Sequence, residues 1–213
     1  MNTPNKLSLT RILLLPVFLF FYLADFIPYG KLISLFVFFF ATFTDFLDGY
    51  IARKYNLVTD LGIFLDPIAD KLLASSGLIV LVADHTIPMP FGIIFMFIML
   101  FRDYAVTGLR QIAQLKGIII AADKWAKIKA NSLYFTLHLG LLLSFFISIE
   151  EKLSSTFLNT AKIIFYVFVG ITTVLIINSG VVYMVKNGHV LKQKKTDKEV
   201  IATLDRLDDR DED

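Results

Sequence analysis

Long apolar stretches alternate with short polar segments along most of the chain. There are six such stretches, at about residues 7–27, 32–54, 61–83, 91–113, 128–149 and 159–185. A helix that crosses the hydrocarbon core of a bilayer needs about 20 predominantly apolar residues, and each stretch is long enough. The pattern therefore predicts an all-α, polytopic membrane protein with six transmembrane helices, in a domain that covers residues 1–187.

The composition supports a membrane protein and limits its chemistry. Hydrophobic residues make up 56% of the 213 residues, and 21 of them are Phe, an excess over soluble domains. The chain has no cysteine, which excludes disulfides and thiolate metal sites. Residues 188–213 are first basic and then acidic, so we expect a charged, solvated cytoplasmic tail there.

The distribution of basic residues predicts the orientation. With six spans, the turns at 28–31, 84–90 and 150–158 share one side of the membrane with only three basic residues: Lys31, Lys152 and Lys162. All other Lys and Arg lie at or near the opposite side, which carries both termini. The positive-inside rule makes that side cytoplasmic. It also places the segment between the second and third spans at the cytoplasmic face.

Four aspartates, Asp45, Asp48, Asp66 and Asp70, lie in that segment. Their spacing is i, i+3 on one predicted helix and i, i+4 on the next, so each pair shares a helical face. Ionisable residues at membrane depth are costly and indicate function. If the two faces meet, the carboxylates repel one another unless divalent cations bind them. A polar loop with acids for solubility is the alternative, but it needs no helical spacing.

Small residues and one arginine accompany these acids. Gly49 and Ala52 leave room for a ligand or a neighbouring helix, and Gly62 does the same on the next helix. The planar guanidinium of Arg53 suits a phosphate. The whole pattern, D-x2-D-G-x2-A-R-x8-G-x3-D-x3-D, resembles the signature of the CDP-alcohol phosphatidyltransferase family, with all eight fixed positions matched.

The resemblance implies the reaction and the roles of the acids. An alcohol attacks a CDP-linked lipid, giving a phosphodiester lipid and CMP. Two Mg²⁺ ions are implied, with Mn²⁺ as the alternative. The first ion is expected on Asp45, Asp48 and Asp66, and the second on Asp45, Asp66 and Asp70. Asp70 is also the expected general base.

Three stretches outside the motif, residues 2–11, 65–71 and 102–110, are similar to bacterial glycerol-3-phosphate phosphatidyltransferases. The expected function is transfer of phosphatidyl from CDP-diacylglycerol to glycerol 3-phosphate, giving phosphatidylglycerol phosphate. Two departures bear on the acceptor. Asp103 stands where those enzymes usually have Glu, and Ala126 to Ala130 replace a G-K-x-K-T pattern. Inositol phosphate, serine and phosphatidylglycerol are the alternative acceptors.

Residues outside the motif are candidates for binding the two substrates. A phosphorylated acceptor favours basic residues near the metals, and the candidates are Arg102, Arg110, Lys127 and Lys129. Their alternative role is contact with lipid headgroups. For the CDP-lipid, the candidates beyond Gly49, Ala52, Arg53 and Gly62 are Asn5 and Thr10. These two could instead cap and anchor the first helix.

Two other classes use intramembrane acids. A membrane prenyltransferase also binds a pyrophosphate through Mg²⁺, but usually with two separated aspartate motifs. The interpretation as a cation transporter predicts acids near the middle of the membrane spans, whereas the four aspartates lie at span ends. The preferred interpretation implies a multi-pass enzyme of the bacterial inner membrane with its active site at the cytoplasmic face. Its expected partners are CDP-diacylglycerol, glycerol 3-phosphate, membrane lipids and a second copy in a homodimer, without nucleic acid.

Overall fold

A computed structural model describes residues 3–55, 60–118, 120 and 124–191, although the side chains of 3–7, 45–55, 60, 61 and 63 lie outside this description. The described residues form six long helices and no strand, which confirms the all-α prediction. The helices are α1 (Thr3–Leu23), α2 (Gly30–Tyr55), α3 (Asp60–Ala83), α4 (Phe91–Leu115), α5 (Lys124–Ser148) and α6 (Ser155–Asn187). Two short 3₁₀ turns, Glu150–Lys152 and Gly188–Leu191, flank α6.

The helices expose large apolar side chains in a way that suits a lipid environment. By length and composition, α4, α5 and the segment Ser155–Leu191 can each cross a membrane. Shorter apolar stretches occupy Ser8–Leu23 in α1 and Gly30–Thr44 in α2. Exposed residues such as Phe97, Phe101 and Val174 project from α4 and α6. The helical, apolar architecture confirms a polytopic membrane protein.

The core lies where all six helices meet, with α3 packed against α1, α2, α4 and α5. Two glycines permit the closest approaches. A Cβ on Gly77 of α3 would come within 2.8 Å of the Phe38 ring of α2. A Cβ on Gly140 of α5 would lie 2.5 Å from a methyl group of Leu81 and 2.9 Å from the Phe165 ring. Small residues at such contacts let membrane helices pack tightly.

A partly buried polar cluster joins four helices at one end of the bundle. It is centred on Asp84, just after α3, and we call it the Asp84 cluster. The Asp84 carboxylate accepts hydrogen bonds from Tyr22, Ser144, Lys31 at 3.0 Å and the Thr86 N–H at 3.0 Å. These contacts bring the α1–α2 turn, the α3–α4 turn and the end of α5 together, as the six-span pattern requires.

The first helix is shorter than predicted, and packing continues beyond the last helix. The first helix ends at Leu23 rather than near residue 27, because Ala24 to Tyr29 form a turn in which Tyr29 has φ 59°. At the other end of the chain, α6 ends at Asn187, and the domain boundary at 187 stays a prediction. However, Val190 in the following turn is buried against α4, and Lys116 donates to its carbonyl at 2.8 Å. Packing against α4 thus continues past α6 into the last described turn, and residues 192–213 lie outside the described residues.

Candidate active site

The predicted motif falls on the C-terminal part of α2 and the N-terminal half of α3. Asp45 and Asp48 lie on the last turns of α2, and their side chains are outside the described residues. Asp66 and Asp70 lie one turn apart on the first half of α3, and both side chains are exposed. The i, i+4 spacing therefore places these two carboxylates on one face of α3, as the sequence predicted.

A neutral hydroxyl from another helix holds one oxygen of each of these carboxylates. Ser8 of α1 is fully buried and donates to Oδ1 of Asp66. Tyr134 of α5 donates to Oδ1 of Asp70. Two helices that carry no part of the motif thus fix the acids of α3.

The described acids fit a divalent cation in their chemistry. Carboxylate oxygens are the ligands that Mg²⁺ prefers, and those of Asp66 and Asp70 face outward from α3. Among the described side chains no three potential metal ligands are gathered, and two of the four predicted ligands lie outside them. Asp45, Asp48, Asp66 and Asp70 remain the predicted metal ligands.

A second polar cluster links α4, α5 and α6, and we call it the Asp103 cluster. Asp103 Oδ1 accepts hydrogen bonds from Lys129 Nζ at 2.8 Å and from Arg102 Nη1 at 2.9 Å. Arg102 Nη2 also donates to Ser179 of α6 at 2.6 Å. Lys129 is 6% exposed, so this cluster is a nearly buried ion-pair network.

The Asp103 cluster is connected to the motif through the residue that follows Asp70. Lys71 Nζ donates to Thr107 Oγ1 at 3.0 Å, and Thr107 Oγ1 donates to the Asp103 carbonyl at 2.7 Å. Lys71 also lies 4.9 Å from the centre of the Tyr104 ring. The basic part of α4 is therefore adjacent to the acidic face of α3.

Comparison with known proteins gives the same family as the motif. Residues 1–157 match the family model described as CDP-alcohol phosphatidyltransferase, which is more than half of the chain. The chain belongs to the CDP-alcohol phosphatidyltransferase family. The matched region covers α1 to α5 and both clusters of polar residues except Ser179.

Several bacterial relatives in this family carry the name CDP-diacylglycerol–glycerol-3-phosphate 3-phosphatidyltransferase. The protein of Bacillus subtilis (strain 168) is 43% identical over 139 residues, covering 60% of this chain and 70% of the relative. That of Rickettsia bellii is 38% identical over 142 residues, covering 66% and 75%. That of Haemophilus influenzae is 36% identical over 136 residues, covering 62% and 70%.

The four basic residues predicted for the acceptor phosphate have different environments. Arg102 and Lys129 are largely buried in the Asp103 cluster, whereas Arg110 and Lys127 are exposed. On α4, Arg102 contacts Asp103 and Ser179, whereas Arg110 is exposed. Two of the four basic side chains are thus paired with protein groups and two are exposed. The phosphate-binding role of all four stays a prediction.

The candidates for CDP-lipid binding are only partly described. Gly62 is buried on α3 and Thr10 is exposed on α1. The side chains of Asn5, Ala52 and Arg53 lie outside the described residues, and so do the surroundings of Gly49. The roles of these six residues in a CDP-alcohol phosphatidyltransferase remain predictions.

Ser8 and Tyr134 were not among the predicted site residues. Ser8 lies 58 residues before its partner and Tyr134 lies 64 residues after its own. The family signature contains neither residue. Ser8 lies within residues 2–11, the stretch similar to bacterial glycerol-3-phosphate phosphatidyltransferases, but nothing distinguished it from its polar neighbours there, and Tyr134 resembles an interfacial tyrosine.

Proposed function

We propose that this protein transfers a phosphatidyl group from CDP-diacylglycerol to glycerol 3-phosphate, giving phosphatidylglycerol phosphate and CMP. The observation that carries the proposal is the family match together with Asp66 and Asp70 on one exposed face of α3. The names of the bacterial relatives support the choice of acceptor. Basic residues adjacent to that face supply a second, physical support.

The proposed reaction is a single phosphoryl substitution. The acceptor hydroxyl attacks the phosphorus that bears diacylglycerol, and the bond from that phosphorus to the CMP phosphate oxygen breaks. Asp70 takes the proton of the hydroxyl, and CMP leaves with the bonding electrons. Mg²⁺ ions held by the four aspartates would offset the charge of the pyrophosphate and of the leaving CMP.

The acceptor phosphate is proposed to bind the basic residues of α4 and α5. Arg110 and Lys127 are exposed and therefore accessible to a ligand. Arg102 and Lys129 carry positive charge into the same region, although Asp103 neutralises part of it. These charges attract the phosphate of glycerol 3-phosphate. An acceptor without net charge, such as serine, gains less electrostatic binding energy there.

The proposed setting is the bacterial inner membrane, with the motif at the cytoplasmic face. The apolar helices support a membrane location, and the positions of Lys and Arg support the orientation. A homodimer is the oligomeric state expected from the resemblance. The two Mg²⁺ ions are likewise part of the proposal.

Purified protein in lipid–detergent micelles tests the proposal directly. CDP-diacylglycerol and Mg²⁺ are supplied, and CMP release is measured with no acceptor and with glycerol 3-phosphate, serine, inositol phosphate or phosphatidylglycerol. We expect release only with glycerol 3-phosphate. CMP release with one of the other acceptors, and none with glycerol 3-phosphate, would support the proposed reaction and refute the proposed acceptor. No release with any acceptor, combined with cation flux in proteoliposomes, would favour the transporter.

A further inference from the structure

We infer that Tyr134 is a positioning residue that orients the carboxylate of Asp70 for proton transfer. The inference deepens the proposed function and rests on it, because it assumes that Asp70 is the base of that reaction. Neither the family signature nor the names of the relatives assign a role to Tyr134.

The contact engages one oxygen of Asp70 and leaves the other available. The Tyr134 hydroxyl donates to Asp70 Oδ1 and also lies 3.2 Å from the Asp70 carbonyl oxygen. Oδ2 accepts no hydrogen bond from any described residue. An exposed aspartate otherwise samples several rotamers, and a base acts well only when it is held toward the proton it takes. In the inferred role, the tyrosine holds the carboxylate through Oδ1 and leaves Oδ2 to take the proton.

Tyr134 is itself held by the packing of α5. Its ring lies against the core, and His138, one turn later, makes a 2.6 Å hydrogen bond through Nδ1 to the Tyr134 carbonyl. The His138 ring packs edge-on to Phe38 at 5.2 Å and Phe39 at 5.9 Å between centroids. Both phenylalanines belong to α2, which carries Asp45 further along. Helix α5 therefore fixes Tyr134 relative to both helices of the motif.

The acids of the motif differ from the other described acids in the charge of the groups that contact them. Within the described residues, the acids outside the motif that have partners are paired with cations: Asp84 with Lys31, and Asp103 with Lys129 and Arg102. Asp84 also accepts hydrogen bonds from two hydroxyls, whereas Asp66 and Asp70 receive theirs from neutral hydroxyls and have no cationic partner among the described residues. An ammonium or guanidinium group would cancel the negative charge that a base and metal ligand needs. A neutral phenol orients the carboxylate and leaves its charge in place.

The first test compares two tyrosine hydroxyls. Tyr134→Phe keeps the ring and removes the bond to Asp70. The matched control is Tyr166→Phe, which removes a hydroxyl that donates to the Thr86 carbonyl at 3.3 Å, beside the Asp84 cluster. We expect Tyr134→Phe to lower kcat about 10-fold or more, as for loss of a hydrogen bond to a charged group. The KM of CDP-diacylglycerol and the melting temperature should match those of Tyr166→Phe.

A double-mutant cycle with Asp70→Asn shows whether the effect passes through Asp70. If it does, adding Tyr134→Phe to Asp70→Asn lowers turnover no further. Equilibrium titration of CDP-diacylglycerol in the presence of Mg²⁺ gives a readout that does not depend on turnover, and its affinity should be unchanged by Tyr134→Phe.

Three results would overturn the inference. Wild-type kcat in Tyr134→Phe would refute the role alone, since the wild-type protein would still turn over. Parallel loss of CDP-diacylglycerol affinity and kcat would assign the hydroxyl to substrate or metal binding instead. Absence of acceptor-dependent CMP release from the wild-type protein would refute the proposed function and, with it, this role.

Discussion

The guanidinium of Arg102 donates to the hydroxyl of Ser179 across the α4–α6 interface, with 2.6 Å between Nη2 and Oγ. Because Nη1 is held by Asp103 at 2.9 Å, both terminal nitrogens of this arginine already have protein partners. Arg110, two turns further along α4, is exposed. The two arginines therefore differ in what they can offer to a phosphate.

We expect Arg110→Ala to raise the KM of glycerol 3-phosphate by about 10- to 150-fold, the effect of losing a charge-assisted contact of about 1.5–3 kcal/mol. The KM of CDP-diacylglycerol and the melting temperature should change little, because the side chain is exposed. Arg102→Ala should raise the same KM and also lower the melting temperature. A larger effect on CDP-diacylglycerol in either variant would place that arginine on the donor instead.

The pairing of Asp103 with Lys129 predicts a strong effect on stability. Asp103→Asn leaves a nearly buried ammonium group without its carboxylate, which costs on the order of 3 kcal/mol for a buried pair. Chemical denaturation in detergent should show the loss. Asp103→Glu keeps the charge and should lose less. The double variant Asp103→Asn, Lys129→Met should recover part of the stability, because Arg102 still lacks its carboxylate, and a sum of two separate losses would contradict the pairing.

The two-metal proposal predicts that Asp66→Asn and Asp45→Asn each abolish turnover at saturating Mg²⁺, because each residue is expected to contact both ions. The exposed Asp25, near the Asp84 cluster, supplies the control: Asp25→Asn should retain activity. The activity of Ser8→Ala should fall between that of Asp25→Asn and that of Asp66→Asn, since this variant removes the hydrogen bond to Asp66 and keeps the carboxylate. Near-normal activity of Asp66→Asn would contradict the metal assignment.

The positions of the turns predict the topology. Reporter fusions after Lys31, Asp84 and Glu151 should all report the outer side, because Asp84 bonds to Lys31 and Lys152 lies 5.9 Å from the ring of Tyr29. Fusions at the N-terminus and after Leu191 should report the cytoplasm. A cytoplasmic signal at Glu151 would contradict the six-span arrangement.

The Asp84 cluster predicts how stability depends on pH. Burial by itself raises the pKa of Asp84, but hydrogen bonds from Ser144, Tyr22 and Thr86 outweigh it, and the pKa lies below its usual value. The carboxylate therefore stabilises the fold above the unfolded-state pKa of about 3.9, and this stability is lost as pH falls through the lower folded-state pKa. In a series of melting temperatures measured between pH 3 and 7, the melting temperature should decrease once the pH is lowered below about 4.

Asp84→Asn tests this assignment. The variant should melt at a lower temperature than wild type at pH 7 and should show a shallower decline in acid. Asp25→Asn, which removes an exposed acid nearby, should reproduce the wild-type profile. An unchanged acid limb in Asp84→Asn would show that another carboxylate controls it.

The sequence by itself determined the helices and the reaction family. Apolar stretches of sufficient length can satisfy their backbone polar groups in lipid only as helices here, so their number followed from local composition. The spacing of the four acids along two helices is also a local property, and it placed Asp66 and Asp70 on one face. Only the helix ends shifted, as at Leu23, where a turn begins within an apolar run.

Only the tertiary structure decided which partners these acids have. Ser8, Tyr134 and Ser179 reach their partners from helices distant in sequence, and hydroxyl-bearing residues are too common in such helices to identify by pattern. The structure also distinguished Arg102 and Lys129, held by Asp103, from Arg110 and Lys127, which are exposed. The physical reason is that helical periodicity fixes the face on which a residue lies, whereas the packing of helices fixes what that face meets.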